Sequence, residues 1–256
     1  MSKLSTQDQF IDLSDYGRSF GKFLAKNLQT TQFTPIHVTL LFGFCGILAI
    51  VCMLAGYYIT AALLLLLKSG IDAADGELAR LKKTPSYSGR YLDSIFDILL
   101  NFLFLSTITY ITQGNLVLLF GAFFGMQLQG TLYNYYYVIL RTKSIGGDST
   151  SKIFENKTPN ALPGETQSSV NVLFKIYFLL YGLFDKIIYF LDAKAHKASK
   201  FPNWFMTCLS VYGLGFQLFM IALFLATRNL DLVLPFFILM TFPVFFFILI
   251  RKRFIK

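Results

Sequence analysis

The sequence predicts an all-α integral membrane protein, a six-transmembrane helix bundle preceded by an interfacial amphipathic helix. Three observations predict it. Of the 256 residues, 55% are hydrophobic and 14% charged, against roughly 25% charged in an ordinary soluble domain. The apolar residues come in blocks of roughly 20, the length of helix that crosses a hydrocarbon layer of about 30 Å. Lys and Arg, which leave a formal charge of +9, avoid the shortest connections between blocks and gather in the others, as the positive-inside rule requires. The same distribution argues against a nucleic-acid partner, because the charge flanks apolar spans.

Residues 7–30 form the first element. Phe10, Leu13, Phe20, Leu24 and Leu28 make an apolar helical stripe, with Arg18, Lys22 and Lys26 on another face. That pattern predicts a helix lying on anionic headgroups; a helix packed on the protein is the alternative. Residues 33–256 form the membrane domain. No continuous apolar segment or small-residue cleavage site precedes it, so the first span is expected to be its own insertion signal.

The spans are expected at His37–Leu54, Tyr58–Gly70, Tyr91–Ile111, Leu116–Leu140, Trp204–Ala226 and Leu232–Ile250, the second continuing as helix beyond the bilayer core. Ala55–Tyr57 and Thr112–Asn115 contain no Lys or Arg, and Thr227–Asp231 contains only Arg228. Both termini, the Asp-rich loop after the second span and the polar segment 142–169 are therefore expected on the cytoplasmic side. Segment 142–169 is a long irregular connection, either a substrate cover or a disordered insert. In 170–191, Asn171, Lys175, Gly182, Asp185 and Lys186 fall on one narrow helical stripe. A span there would weaken the charge asymmetry, so a non-spanning amphipathic or pocket-lining helix is expected, with spanning as the alternative. Cys45, Cys52 and Cys208 all lie inside expected spans and read as packing residues. Cys45 and Cys52 are about 10 Å apart along one helix, too far for a disulfide. Gly121 and Gly125 form a GxxxG that permits close helix approach, between chains or within one.

Between the second and third spans the chain reads IDAADGELARLKKTPSYSGRYLDSIFD. Asp72 and Asp75 are about 60° apart on a helix, with Gly76 and Ala79 on the same face. Pro85 breaks the helix and Ser86 or Ser88 caps a new one. Gly89, Asp93 and Asp97 then follow at intervals of four residues. The short turn predicts two antiparallel neighbouring helices whose four carboxylates face one another. Such a cluster, near a helix C-terminus where the dipole disfavours negative charge, requires a bound cation. Arg80, Lys82, Lys83 and Arg90 could supply charge, but hard divalent ions such as Mg²⁺ or Mn²⁺ fit all-oxygen ligands better. Two ions roughly 4 Å apart would use four carboxylates and clamp both oxygens of a phosphoryl transfer. A solvated loop whose acids pair with Lys and Arg is the plain alternative.

The pattern Asp72-x2-Asp75-Gly76-x2-Ala79-Arg80-x8-Gly89-x3-Asp93-x3-Asp97 resembles the signature of the CDP-alcohol phosphotransferase family at every fixed position. The resemblance implies transfer of a substituted phosphoryl group from a CDP-linked donor to an alcohol, with release of CMP. It implies Asp72, Asp75, Asp93 and Asp97 as metal ligands and Asp97 as general base. Asp72, Gly76, Ala79, Arg80 and Gly89 would serve the nucleotide. Many members begin the first span with Pro-Asn-x-x-Thr; here Pro35 and Thr39 are present but Ile36 stands where the asparagine would be. His37 is a substitute to consider.

The donor expected is CDP-diacylglycerol with a small polar alcohol as acceptor. The alternative is CDP-choline or CDP-ethanolamine with a lipid acceptor. Arg141 and Lys175 are the candidates for a cationic acceptor pocket. Membrane lipids are partners in either case, and the family suggests a homodimer. A bacterial inner membrane is the favoured location over an endoplasmic reticulum. An ion transporter would spread acids through the bilayer, whereas here they gather at one face. A prenyltransferase would need a second acidic motif, which Asp148, Glu155 and Glu165 do not form.

Overall fold

A computed structural model describes residues 4, 8–143, 150–198 and 200–255. The described residues form helices and turns: α1 (Arg18–Leu28), α2 (Pro35–Leu54), α3 (Tyr58–Lys82), α4 (Tyr87–Ile111), α5 (Leu116–Lys143), α6 (Gln167–Leu191), α7 (Asn203–Leu209), α8 (Leu214–Ala226), α9 (Val233–Leu239) and α10 (Phe242–Phe254). Local chemistry sets the boundaries. Thr34 accepts from the His37 amide while the His37 ring accepts from the Thr34 amide, a capping box ahead of Pro35. This occupies His37, which is exposed, in closing the helix start. The α2–α3 turn uses Gly56 at φ 81°, and α3 stops where Lys83 adopts a left-handed φ of 55° two residues before Pro85. Ser86 then caps α4 by accepting from the Gly89 amide.

Four helical segments are long and apolar enough to cross a membrane: Pro35–Leu54, Tyr87–Ile111, Leu116–Lys143 and Leu230–Phe254. A fifth arises if Asn203–Tyr212 and Leu214–Ala226, bent by 50°, form one broken span. The sixth expected span, Tyr58–Gly70, is only the first half of α3, whose second half bears Asp72, Asp75, Glu77, Arg80 and Lys82 and keeps it outside this set. Helix α6 is outside it as well. Its start is tied to the first turn of α4 through Glu165, and its end to α5 and α10 through Asp192. Arg251 is buried against Asp192, which also accepts from the Tyr136 hydroxyl at 2.7 Å.

Helix α3 is central, packing against α1, α2 and α8, while α2 also packs on α4. The small ridge Gly17, Gly21 and Ala25 brings α1 onto α3: a Cβ at Gly21 would lie 2.9 Å from the Ala73 carbonyl carbon. Leu24 and Leu28 join the same core, but Phe20 and Phe23 remain exposed and Phe10 packs on Tyr137. The expected single stripe is thus divided between surfaces. The GxxxG of α5 serves packing within the chain, since a Cβ at Gly125 would run into Thr241 and the Phe237 carbonyl. The cysteines are free thiols, Cys45 buried among the core residues.

Replacing Gly21 with Val should therefore lower stability by about 2 kcal/mol, as overpacking against a backbone that cannot yield does. Thermal unfolding in detergent should show it, together with faster proteolysis at residues 29–34 as α1 lifts from α3.

Candidate active site

The C-terminal half of α3 and the first turns of α4 form the walls of the site. The acids of the two helices face one another as expected from the short turn, while the closest backbone packing of both helices is with α2. Phe42 of α2 packs edge-on against Phe96 of α4 beside the site. Asp72, Asp75, Gly76 and Ala79 line it from α3, and Gly89, Asp93 and Asp97 from α4, all of them partly exposed.

Asp72, Asp75 and Asp93 each offer an oxygen within 4.8 Å of the others, a set able to hold a metal ion. Asp75 accepts from the Thr39 hydroxyl at 2.8 Å, so the retained threonine of the first span supports a cluster ligand. One oxygen of Asp93, Oδ1, is buried without a hydrogen-bonding partner. Asp97 is not in the triad. Its Oδ1 accepts from Lys68 Nζ at 2.5 Å, and the same ammonium lies 3.5 Å from Asp72 Oδ2. Lys68 did not stand out in the sequence; its signal was a lone lysine in an apolar run, one helical turn before Asp72.

The other nearby cations are engaged elsewhere. Arg80 faces Glu77 at 3.0 Å, Arg90 donates to both oxygens of Glu155 at 2.7 Å, and Lys82 donates to the carbonyls of Thr31 and Phe33. Two unit charges about 4 Å apart interact by about 4 kcal/mol at an effective dielectric near 20. Lys68 makes its ion pairs with Asp72 and Asp97, so a single ammonium faces the three clustered carboxylates and Asp97 together. The orphaned oxygen of Asp93 and this surplus of negative charge both fit a bound cation.

The glycines point the same way. A Cβ at Gly76 would meet only the Arg80 guanidinium, at 3.6 Å, and one at Gly89 only the side chain of its own cap, Ser86. Packing within the chain does not demand glycine at position 76, so the space it leaves open lies on the cleft.

A sequence model described as CDP-alcohol phosphatidyltransferase matches residues 32–164, more than half of the chain. The chain belongs to this family. No curated protein matches it. A CDP-alcohol phosphatidyltransferase is an enzyme that transfers a phosphate-linked group from a CDP-alcohol to an alcohol. The matched region spans α2 to α5 and the following connection; α6 to α10 lie beyond it.

The described part of that connection folds over the start of α4. Glu155 accepts from Arg90 and from the Tyr91 hydroxyl. Glu165 accepts from the amides of Tyr87 and Ser88 and from the Ser86 hydroxyl, satisfying donors that a helix N-terminus leaves open. Asp148 lies outside the described residues. Behind α4, α6 presents Tyr181, which donates to the Ser94 carbonyl, and Tyr177, which donates to Asp185. Lys175 is exposed on the opposite face with Val172, Ile176 and Leu179. Arg141, at the end of α5, donates to Ser151.

Two outcomes follow from this geometry. Gly76→Val should leave the fold intact yet weaken binding of a CDP-alcohol by at least about ten-fold, roughly 1.4 kcal/mol; unchanged affinity in a direct binding assay would refute the open-space argument. Burial opposes ionisation of Glu165, but the hydrogen bonds it accepts from Ser86, Tyr87 and Ser88 outweigh it and hold the carboxyl below its usual 4.5. Its contribution is therefore complete above that value and is lost as pH falls through the lower folded one. Protease resistance of residues 150–166 should fall over that range in the native chain, whereas Glu165→Gln should have the weaker resistance at neutral pH already.

Proposed function

We propose that this chain is a phospholipid-biosynthetic transferase that uses CDP-diacylglycerol as donor and a small polar alcohol as acceptor. The observation that carries the reading is the Asp72, Asp75 and Asp93 cluster at the edge of a cleft left open by Gly76, Ala79 and Gly89. Those three carboxylates would hold Mg²⁺ or Mn²⁺, which when bound neutralises the diphosphate and makes CMP a better leaving group. A second ion, expected from four carboxylates, would compete with the Lys68 ammonium for Asp97.

The acceptor hydroxyl attacks the phosphorus that bears the donor's alcohol, the bond to the CMP oxygen breaks, and the hydroxyl proton passes to Asp97. Lys68 holds Oδ1 of Asp97, so Oδ2 is the oxygen turned to the acceptor. Arg80 and the space at Gly76, Ala79 and Gly89 serve the nucleotide. The outward position of Lys175 removes one of two cations that a phosphorylated acceptor would use, which favours an uncharged one and leaves Arg141 as the residue to test. Transfer from CDP-choline or CDP-ethanolamine to a lipid alcohol is the competing assignment within the same chemistry.

In the membrane, α3 completes a six-span bundle, α6 lies across one side without spanning, and α1 rests at the interface. The basic connections put both termini and the cleft on the cytoplasmic side, in a bacterial inner membrane and as a homodimer. An ion carrier is disfavoured because the acids gather at one end of the helices.

Purified protein supplied with Mn²⁺ or Mg²⁺ and either CDP-diacylglycerol or CDP-choline should release CMP with one donor and a subset of acceptors, and chelation should stop it. Asp97→Asn should cut turnover by about 10³-fold, within the range for loss of a general base, while donor binding survives better than in Asp75→Asn. Near-full turnover by Asp97→Asn would remove the base assignment, and CMP from neither donor would remove the substrate assignment.

A further inference from the structure

Lys68 is fully buried, with its ammonium between two carboxylates and an aromatic ring. Nζ is 2.5 Å from Asp97 Oδ1, 3.5 Å from Asp72 Oδ2 and 4.4 Å from the centre of the Phe42 ring. On α3 it lies one turn before Asp72, and on α4 Asp97 lies one turn after Asp93. The site therefore has two layers. The outer layer is the triad of Asp72, Asp75 and Asp93; the inner one is Lys68 with Asp97, and Asp72 touches both.

Four carboxylates arranged for two divalent ions would place one ion in each layer, with Asp72 between them. In this chain the inner position already holds a cation. A lysine ammonium is a compact charge with three donors and no acceptor, so it can satisfy two carboxylates and a ring face as a small ion would. It is also fixed. An incoming ion would have to leave the ammonium buried among apolar neighbours without a counter-charge, which is more unfavourable than leaving the pair in place.

We infer that Lys68 takes the place of a second divalent ion, so that the chain binds one ion, in the triad, and uses Lys68 to fix the orientation of Asp97. This rests on the metal-dependent reading of the site proposed above. Lys68 is then a positioning residue, acting on the reaction through Asp97 and Asp72. The sequence offered the opposite expectation of two ions, because it counted acids and did not pair any of them with a buried base.

Counting ions tests this without recourse to turnover. The full-length chain, stripped of metal in detergent, is titrated with Mn²⁺ in the presence of CMP. Free Mn²⁺ and the spectrum of the bound ion are followed by electron paramagnetic resonance. One Mn²⁺ per wild-type chain, with the signal of an isolated ion, is the expected result. Lys68→Met should then take up a second Mn²⁺, close enough to the first to couple their spins. Two ions in the wild-type chain, or only one in a folded Lys68→Met chain, overturns the inference. The wild-type count decides the matter even if Lys68→Met fails to fold. No bound Mn²⁺ at all would instead overturn the metal-dependent reading beneath it, so the two failures are distinct.

Discussion

Like charge gathered where water is scarce is the constraint on which the rest of the structure depends. Asp72, Asp75, Asp93 and Asp97 converge between two helices that are largely apolar on their other faces. Left to themselves they would separate the helices or take up protons. The structure meets the constraint locally rather than by distance. Lys68 holds two of the acids, and the Thr39 hydroxyl holds a third. The basic residues that sequence proximity would recruit, Arg80, Lys82 and Arg90, are drawn to other partners. That leaves the triad with negative charge to spare and one orphaned oxygen, so the remaining imbalance has to be met from outside the chain.

Holding such a cluster requires a rigid frame, and the frame is built mostly from close backbone contact. Helix α3, which supplies half of the acids, is fixed by α1 through Gly17 and Gly21, by α2 along its length and by α8. Helix α4 is fixed at its first turn by Glu165 and at its second by Glu155 through Arg90 and Tyr91. The two walls are therefore anchored from their outer sides and need not touch each other. A gap between them costs no apolar contact that the surrounding helices do not already supply, and Gly76 faces it with nothing but the Arg80 guanidinium near.

The acids and glycines were legible in the sequence because helical spacing alone puts Asp72, Asp75 and Gly76 on one face and Gly89, Asp93 and Asp97 on another. What spacing could not give was the distance between the faces. A short turn through Pro85 suggests neighbours, but not that each would pack its backbone chiefly on α2 and meet the other through charged side chains. Lys68 was illegible for a related reason. A lone lysine in an apolar helix usually extends its stem to reach water, and only the position of α4 reveals that a carboxylate is closer. The roles of Glu155 and Glu165 were hidden too, since a polar stretch between Arg141 and Thr166 gives no periodic signal and its contacts lie about 65 to 79 residues away in the chain. Lys175 misled because a helical stripe that contains Asn171 and Asp185 as well looks like one surface, whereas in the fold Asp185 turns inward and Lys175 outward.

The division between matched and unmatched halves of the chain has a physical sense. Residues 32–164 include every acid of the cluster, both cleft glycines and Glu155, one of the two carboxylates that anchor α4. Glu165 is the first residue past it, and α6 begins two residues later. From there the chain contributes enclosure: Tyr181 on the Ser94 carbonyl and Tyr177 against Tyr91 seat α6 behind the acidic helix. Asp192 then binds its far end to Tyr136 and Arg251. A buried ion pair is weak support for stability by itself, but here it sets direction. Tied at its start to Glu165's partners and at its end to Asp192's, α6 is held alongside the acidic helix α4.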